Sequence, residues 1–267
     1  MEWKTILFER RGAIAIITMN RPNRFNALNA DLGEELVKAV EICREDDEIR
    51  AVILTGAGAA FCSGGDLKAF QEAVGTPSQS HVFRDITKSI NRLIMDLRLL
   101  PKPIIASING SLGGAGCCLA LACDLRIAAD TAKFKQAYTS VGLTPDGGFT
   151  LLAGAIIGLG KASELVFLDP VLEAKQAQEI GLLHKVVSSA DLPAATMEWA
   201  EKLAAGATKS YARTKALLNE VLLPLLERQL ELERQGIMAS SQTSDYVEGV
   251  TAFFAKRPPV FQGKSYP

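Results

Sequence analysis

The sequence predicts an α/β fold built on a largely parallel sheet. Three observations carry that prediction. Short buried apolar runs alternate with helical stretches along the first two thirds of the chain. Two of those runs open into glycine-rich loops, Phe61-Cys62-Ser63-Gly64-Gly65-Asp66-Leu67 and Asn109-Gly110-Ser111-Leu112-Gly113-Gly114-Ala115-Gly116. The chain from about residue 200 to 256 reads as helix throughout, forming a separate layer.

The elements follow in order. Ala13–Met19 is isoleucine-rich and predicts a strand, and the polar break Asn20-Arg21-Pro22-Asn23-Arg24 predicts a loop. Asn29 or Asp31 caps a helix whose apolar face is Leu32, Leu36, Val37 and Val40. Ala51–Thr55 is a second buried strand. Residues 66–74 are helical, with Gly75-Thr76-Pro77 as the stop. Helical periodicity returns from His81 to Leu100 and ends at Pro101-Lys102-Pro103. Residues 103–108 form a strand, Gly114–Leu121 a buried helix and Leu125–Ala129 another strand. Helices near 149–157, 161–168 and 173–180 lead to a short strand at His184–Val187, and the pattern is helical from Asp191 onward. No internal repeat is legible. The expected division is a core over 1–199 and a helical segment over 200–267.

Composition narrows the function. The chain has 267 residues, 48% of them hydrophobic, enough for one sizeable core. A formal net charge of -1 gives no basic footprint for nucleic acid. The 5 cysteines include no CxxC pair, and Cys117, Cys118 and Cys123 fall in an apolar helical pattern, which predicts reduced core residues. His81 and His184 are the only histidines and lack metal-ligand spacing. The apolar stretch 103–122 is interrupted by Asn109 and glycines, so it reads as strand, loop and helix, not as a membrane span. Without a signal-peptide pattern at Met1-Glu2-Trp3-Lys4, a cytoplasmic protein is expected. Gly158-Leu159-Gly160-Lys161-Ala162 has the wrong spacing for a phosphate loop, and no dinucleotide fingerprint or nucleophile elbow is present.

The chemistry lies in the glycine loops. Small residues at a helix start leave backbone N–H groups uncovered, and two such donors meeting on one oxygen would hold an enolate. Loops that follow parallel strands open on one sheet edge, so those around Gly65, Ala115 and Asp146 are expected to meet.

With its blocks in order, the chain resembles the crotonase, or enoyl-CoA hydratase/isomerase, superfamily over essentially its whole length. Those blocks are Asn20-Arg21-Pro22 with Asn26-Ala27-Leu28-Asn29, Phe61 to Leu67, Lys102-Pro103-Ile104-Ile105-Ala106, Asn109-Gly110, Leu119 to Asp124 and Phe253 to Phe261. The resemblance implies a crotonase-like spiral of ββα units with a C-terminal helical segment. It also implies assembly as a homotrimer or hexamer, and acyl-CoA thioester substrates. By position, the oxyanion donors would be the N–H groups of Gly65 and Ala115, where Ala115 stands at a position that is glycine in many relatives. The two glutamates of the family's hydratases fall at Cys118 and Tyr138, which argues against two-glutamate hydration. Asp146, in Gly142-Leu143-Thr144-Pro145-Asp146, matches the aspartate of some family isomerases, and its loop is similar to that of the phenylacetyl-CoA-pathway ring-epoxide isomerases.

An isomerase shifting a double bond, with Asp146 as acid and base, is the expected activity. Hydratase-type chemistry, a dehalogenase or hydrolase using Asp146 as nucleophile, and a non-catalytic acyl-CoA-binding scaffold are the alternatives. No metal or redox cofactor is called for, with coenzyme A entering as part of the substrate. The substrate and CoA contacts implied are Arg24, Ala27, Ser63, Gly64, Asp66, Leu67, Tyr138, Phe253 and Lys256, the last two often acting from a neighbouring subunit.

Local pattern supplies plainer roles for the same residues. Thr144-Pro145 looks like a helix start, which would leave Asp146 complementing a helix dipole. Gly64 and Gly65 fit a tight loop, Ser63 a bond to that loop's backbone, and Asp66 a helix-start or loop-fixing residue. Tyr138 reads as a wall aromatic, with a hydrogen-bond donor in the acyl pocket as the alternative, Cys118 as packing, with a pocket thiol as the alternative, and His81 as a contact at the acyl end.

Overall fold

In the computed structural model, which describes residues 2–74, 76 and 79–264, the apolar runs pair into two sheets. The larger has six strands in the order β1 (Ile6–Arg11), β2 (Ile14–Met19), β3 (Ala51–Gly56), β5 (Ile104–Ile108), β7 (Leu125–Ala129) and β10 (Lys185–Val187). All its pairings are parallel except β1 against β2, with Ile16 opposite Ile53 and Leu54 opposite Ala106. The smaller has four strands in the order β4 (Ala60–Cys62), β6 (Ser111–Gly113), β8 (Lys133–Lys135) and β9 (Leu172–Glu173). There β4, β6 and β8 are parallel, and β9 runs against β8.

Three of the long strands, β3, β5 and β7, are each followed by a short one in the second sheet and then by helices. After β3 and β4 come α2 (Leu67–Ala73) and α3 (Gln79–Leu99). After β5 and β6 comes α4 (Ala115–Ala122). After β7 and β8 come a 3₁₀ turn at Thr139–Val141, α5 (Phe149–Ile157), α6 (Leu159–Leu168) and, beyond β9, α7 (Ala174–Glu179). This is a spiral of ββα turns that the sequence does not display as a repeat. The predicted break at Gly75 and Pro77 lies outside the described residues.

Helix α1 (Ala30–Glu45) is capped by the Asn29 side chain, which accepts from the Leu32 N–H, and it buries Leu32, Leu36, Val37 and Val40 as the pattern requires. The main core lies between the two sheets and helices α1, α3, α4 and α5. A second apolar layer covers the opposite face of the large sheet, where α8 (Leu192–Ala205) sets Leu192, Ala200 and Ala204 against Ile14, Ile53, Ile105 and Ile127. The 199/200 division therefore falls inside α8.

Helix α9 (Thr208–Ser240) runs 33 residues with Pro224 inside it. Its buried stripe alternates polar and apolar residues: Lys215, Asn219, Leu226, Leu230, Glu233 and Ile237. Every polar member is paired, as burial demands. Lys215 donates to Asp124 at 2.8 Å and to the Leu97 carbonyl at 2.9 Å, and Asn219 accepts from Arg98 at 2.6 Å. Helix α10 (Ser244–Phe254), capped by Thr243, returns the chain to the 3₁₀ turn and α2. Among the described residues, no helix is long and apolar enough to cross a membrane.

Candidate active site

The two glycine loops meet because β4 and β6 are neighbours, with Cys62 opposite Leu112. They follow the short strands of the second sheet, not the long buried runs to which the sequence attaches them. At Gly64 the backbone takes φ +99°, and an added Cβ would lie 2.9 Å from the Gly113 carbonyl oxygen, so only glycine fits. The Leu28 N–H donates to the Gly64 carbonyl at 2.7 Å, and the Asp66 N–H donates to the Leu28 carbonyl at 3.0 Å. That bridge uses the groups on either side of Gly65, so the Gly65 N–H turns away from Leu28, and Gly65 itself lines the cavity. Ala115 is the first residue of α4, and its N–H has no intrahelical acceptor. It lines the same cavity.

Asp146 faces this space and is 4% exposed. The Tyr138 hydroxyl donates to its Oδ1 at 2.5 Å. Cys118 Sγ lies 3.6 Å from the Tyr138 oxygen and donates to the Asp146 backbone carbonyl at 3.2 Å. Cys118 and Tyr138 thus both touch the aspartate. Burial pushes the Asp146 carboxyl up from 3.8 to about 6, and the Tyr138 hydrogen bond holds it from rising further. Burial also drives the Tyr138 hydroxyl and the Cys118 thiol well above their usual ranges, so both stay protonated.

Several local expectations are corrected here. Helix α5 starts at Phe149 with Gly148 as its cap, so Asp146 lies ahead of the first turn instead of within it. Thr144-Pro145 starts no helix, and the aspartate is buried against Tyr138. Tyr138 is a hydrogen-bond donor as well as a wall. The Ser63 hydroxyl makes no hydrogen bond to its loop among the described residues, and it lies exposed at the cavity mouth. Asp66 does fix the loop: it accepts from Arg21 at 3.1 Å, and Arg21 also donates to the Ala27 carbonyl. His81 is exposed at the start of α3 and is absent from the cavity wall.

Glu233 escaped the sequence reading. From α9 it accepts the Gly148 N–H at 2.6 Å and the Thr150 N–H at 3.0 Å, capping α5 from across the fold. The available signal was an acid on the apolar stripe Leu226, Leu230, Ile237.

The cavity holds about 60 Å³ and is walled by Phe70, Phe83, Ile86, Ile90, Leu143 and Ile237. Phe70 and Phe83 stack with ring centroids 4.6 Å apart. Among the described lining residues Asp146 is the one acid. The cavity shares Ser63, Gly65, Leu67, Ala137 and Val141 with an open groove of about 590 Å³. Arg24, Ala27, Asp66 and Phe253 line that groove, and so do Lys68, Lys135 and Arg257, which the sequence did not single out. Phe253 reaches it within one chain. Lys256 is exposed and does not line it, although its neighbour Arg257 does. No group of three or more His, Cys, Asp or Glu residues able to hold a metal occurs among the described residues.

Comparison with known proteins places this fold in a family. The sequence profile described as enoyl-CoA hydratase/isomerase matches residues 9–264. The chain is 37% identical over 259 residues to the 1,2-epoxyphenylacetyl-CoA isomerase of Escherichia coli (strain K12), covering 97% of this chain and 98% of that one. It is 33% identical over 258 residues to the short-chain-enoyl-CoA hydratase of Clostridium acetobutylicum, covering 96% and 97%. The crystal structure of an enoyl-CoA hydratase from Mycobacterium avium subsp. paratuberculosis K-10 superposes with a TM-score of 0.87 at 30% identity, over 98% of this chain and all of that one. On the profile match, the relatives and the shared fold, the chain belongs to the enoyl-CoA hydratase/isomerase family.

Proposed function

We propose that this protein is an enoyl-CoA isomerase that moves a double bond next to a thioester, with Asp146 carrying the proton. The observation that carries this reading is the lone buried Asp146 beside two uncovered backbone N–H groups, those of Gly65 and Ala115. The thioester oxygen would accept both N–H groups. Asp146 removes a proton from the carbon between the carbonyl and the double bond. The negative charge passes to the oxygen, where fixed donors are worth most because the site is dry. The same carboxyl then returns the proton at the far end of the former double bond, so no net proton is consumed.

A carboxyl that titrates near 6 suits both halves, being a base at neutral pH and a usable acid once protonated. Hydration would need a second carboxylate to hold water. The positions aligned with the family's glutamates carry Cys118 and Tyr138, neither of which ionises at neutral pH. The groove, with Arg24, Lys68, Lys135 and Arg257, suits the phosphates of coenzyme A, and Phe253 suits its adenine. The chemistry needs no metal or redox group, since charge and proton are both handled by the chain. The exposed apolar residues Leu159, Phe167 and Leu168 support an assembly of the trimeric or hexameric kind.

The test is incubation with 3-enoyl-CoA thioesters in deuterium oxide. The expected result is conversion to the conjugated 2-enoyl isomer with deuterium incorporation, lost in Asp146→Asn. Hydroxyacyl-CoA as the main product, a covalent adduct at Asp146, or full activity in Asp146→Asn overturns the proposal.

A further inference from the structure

The clamp on α5 has a consequence for the aspartate. We propose that Glu233 is a positioning residue for Asp146: reaching from α9, it grips the turn Gly147-Gly148-Phe149-Thr150 and thereby holds the Asp146 carboxyl against Tyr138. The inference rests on the reading of Asp146 as the proton carrier.

The geometry is specific. Glu233 Oε2 takes the Gly148 N–H at 2.6 Å, while Oε1 takes the Thr150 N–H at 3.0 Å and the Thr150 hydroxyl at 2.5 Å. Gln229 braces that hydroxyl from the next turn of α9, donating to it at 2.8 Å. Both carboxylate oxygens are thus committed to the three residues that follow Gly147. The turn they hold cannot relax freely. Gly147 and Gly148 take φ +62° and +78°, and a Cβ would lie 3.0 Å from Cys118 Cβ at the first and 2.8 Å from Leu226 Cδ1 at the second. On the other side, the Asp146 carbonyl accepts from the Phe149 N–H at 3.1 Å and from Cys118 Sγ. Asp146 is therefore held at its carboxyl by Tyr138, at its carbonyl by Cys118 and the Phe149 N–H, and through the turn that follows it by Glu233.

The groups facing Asp146 are Tyr138 from the 3₁₀ turn, Cys118 from α4 and, behind the turn, Glu233 from α9. Ile90 supplies an apolar wall from α3. Two buried carboxyls in one region feel each other. Burial pushes Glu233 up to about 7, and the charge on Asp146 adds to that rise. With Asp146 titrating near 6 and Glu233 near 7, Glu233 is still largely protonated when Asp146 ionises, so it acts on the aspartate through the turn it grips and not through its charge.

The test compares wild type with Glu233→Gln, which keeps the size and removes the charge. The Asp146 carboxyl is followed by ¹³C NMR titration of aspartate-labelled, substrate-free protein, its signal identified by its loss in Asp146→Asn. In Glu233→Gln the midpoint should rise by about half a pH unit or more, because a carboxyl no longer held against Tyr138 loses the hydrogen bond that favours its charged form. With 3-enoyl-CoA, kcat should fall about 10- to 100-fold while KM stays within about twofold, because the groove is untouched and only aim is lost. A midpoint at the wild-type value overturns the proposal. Should Glu233→Gln not fold, Thr150→Val removes one of the three donors: a several-fold loss in kcat at constant KM supports the clamp, and wild-type kcat overturns it. The function reading fails separately, if wild type isomerises no enoyl-CoA or Asp146→Asn remains active, and the titration still decides the role of Glu233.

Discussion

Removing the Tyr138 hydroxyl should shift the pH at which the protein works. In Tyr138→Phe the 2.5 Å hydrogen bond to Asp146 Oδ1 is lost, and it is the one interaction that favours the charged form of this buried carboxyl. A hydrogen bond to a charged group is worth about 1.5–3 kcal/mol, and about 1.4 kcal/mol corresponds to one pH unit. The sign is upward, because the bond stabilised the ionised base and its loss leaves burial unopposed. The acid limb of kcat/KM, near 6 in the wild type, should therefore move up by about one to two pH units. At pH 7 the ionised fraction then drops from about nine tenths to between about one half and one tenth, so kcat/KM falls about two- to tenfold and recovers above pH 9. The assay is kcat/KM for a 3-enoyl-CoA across pH 5 to pH 10, taken as rough limits set by the ordinary range of stable activity. A limb that stays at the wild-type pH, or a loss equal at every pH, refutes the reasoning.

Two further outcomes follow from the same site. Asp146→Asn should be more stable than wild type at pH 8, because a carboxyl raised from 3.8 to about 6 destabilises the fold by about 3 kcal/mol once ionised. That gain should shrink as pH falls through 6 and vanish below 3.8, where both states are protonated, and thermal unfolding at pH 8 and pH 3.5 checks it. Ala115→Pro deletes one proposed oxyanion donor at the first helical position, where proline is tolerated. It should fold and lose about 100- to 1000-fold in kcat, read by circular dichroism and turnover together.

Much of the large sheet was legible because its strands are buried on both faces and so read as unbroken apolar runs. The stretches 13–19, 51–55, 103–108 and 125–129 appear as Ile14–Met19, Ala51–Gly56, Ile104–Ile108 and Leu125–Ala129, and the helix 149–157 as Phe149–Ile157. Strand β1 was not legible, since Ile6-Leu7-Phe8-Glu9-Arg10-Arg11 is an edge strand with charged, exposed residues and little alternation. The second sheet hid for a different reason. Its strands are two or three residues long, and β4 and β6 run into the glycine loops, so no periodicity can form.

The candidate site divides in the same way. The two glycine loops were legible because a backbone donor at a helix start leaves a trace of small residues, while the choice of Gly65 and Ala115 within them rests on the family resemblance. The bond from Tyr138 to Asp146 was not, since it depends on a turn in which Ala137 takes φ +60° and Gly142 reverses the chain. Local pattern instead offered a helix start at Thr144, which the positive-φ pair Gly147 and Gly148 postpones to Phe149. Glu233 lies 85 residues from its Gly148 partner, and only the fold brings them together.

The most direct measurement is a crystal structure with an unsaturated acyl-CoA bound. The account requires the thioester oxygen at about 2.7–3.1 Å from the nitrogens of both Gly65 and Ala115, with the Asp146 carboxyl alongside the carbons that exchange the proton. A thioester oxygen turned to solvent, or an Asp146 carboxyl directed away from the acyl chain, contradicts it.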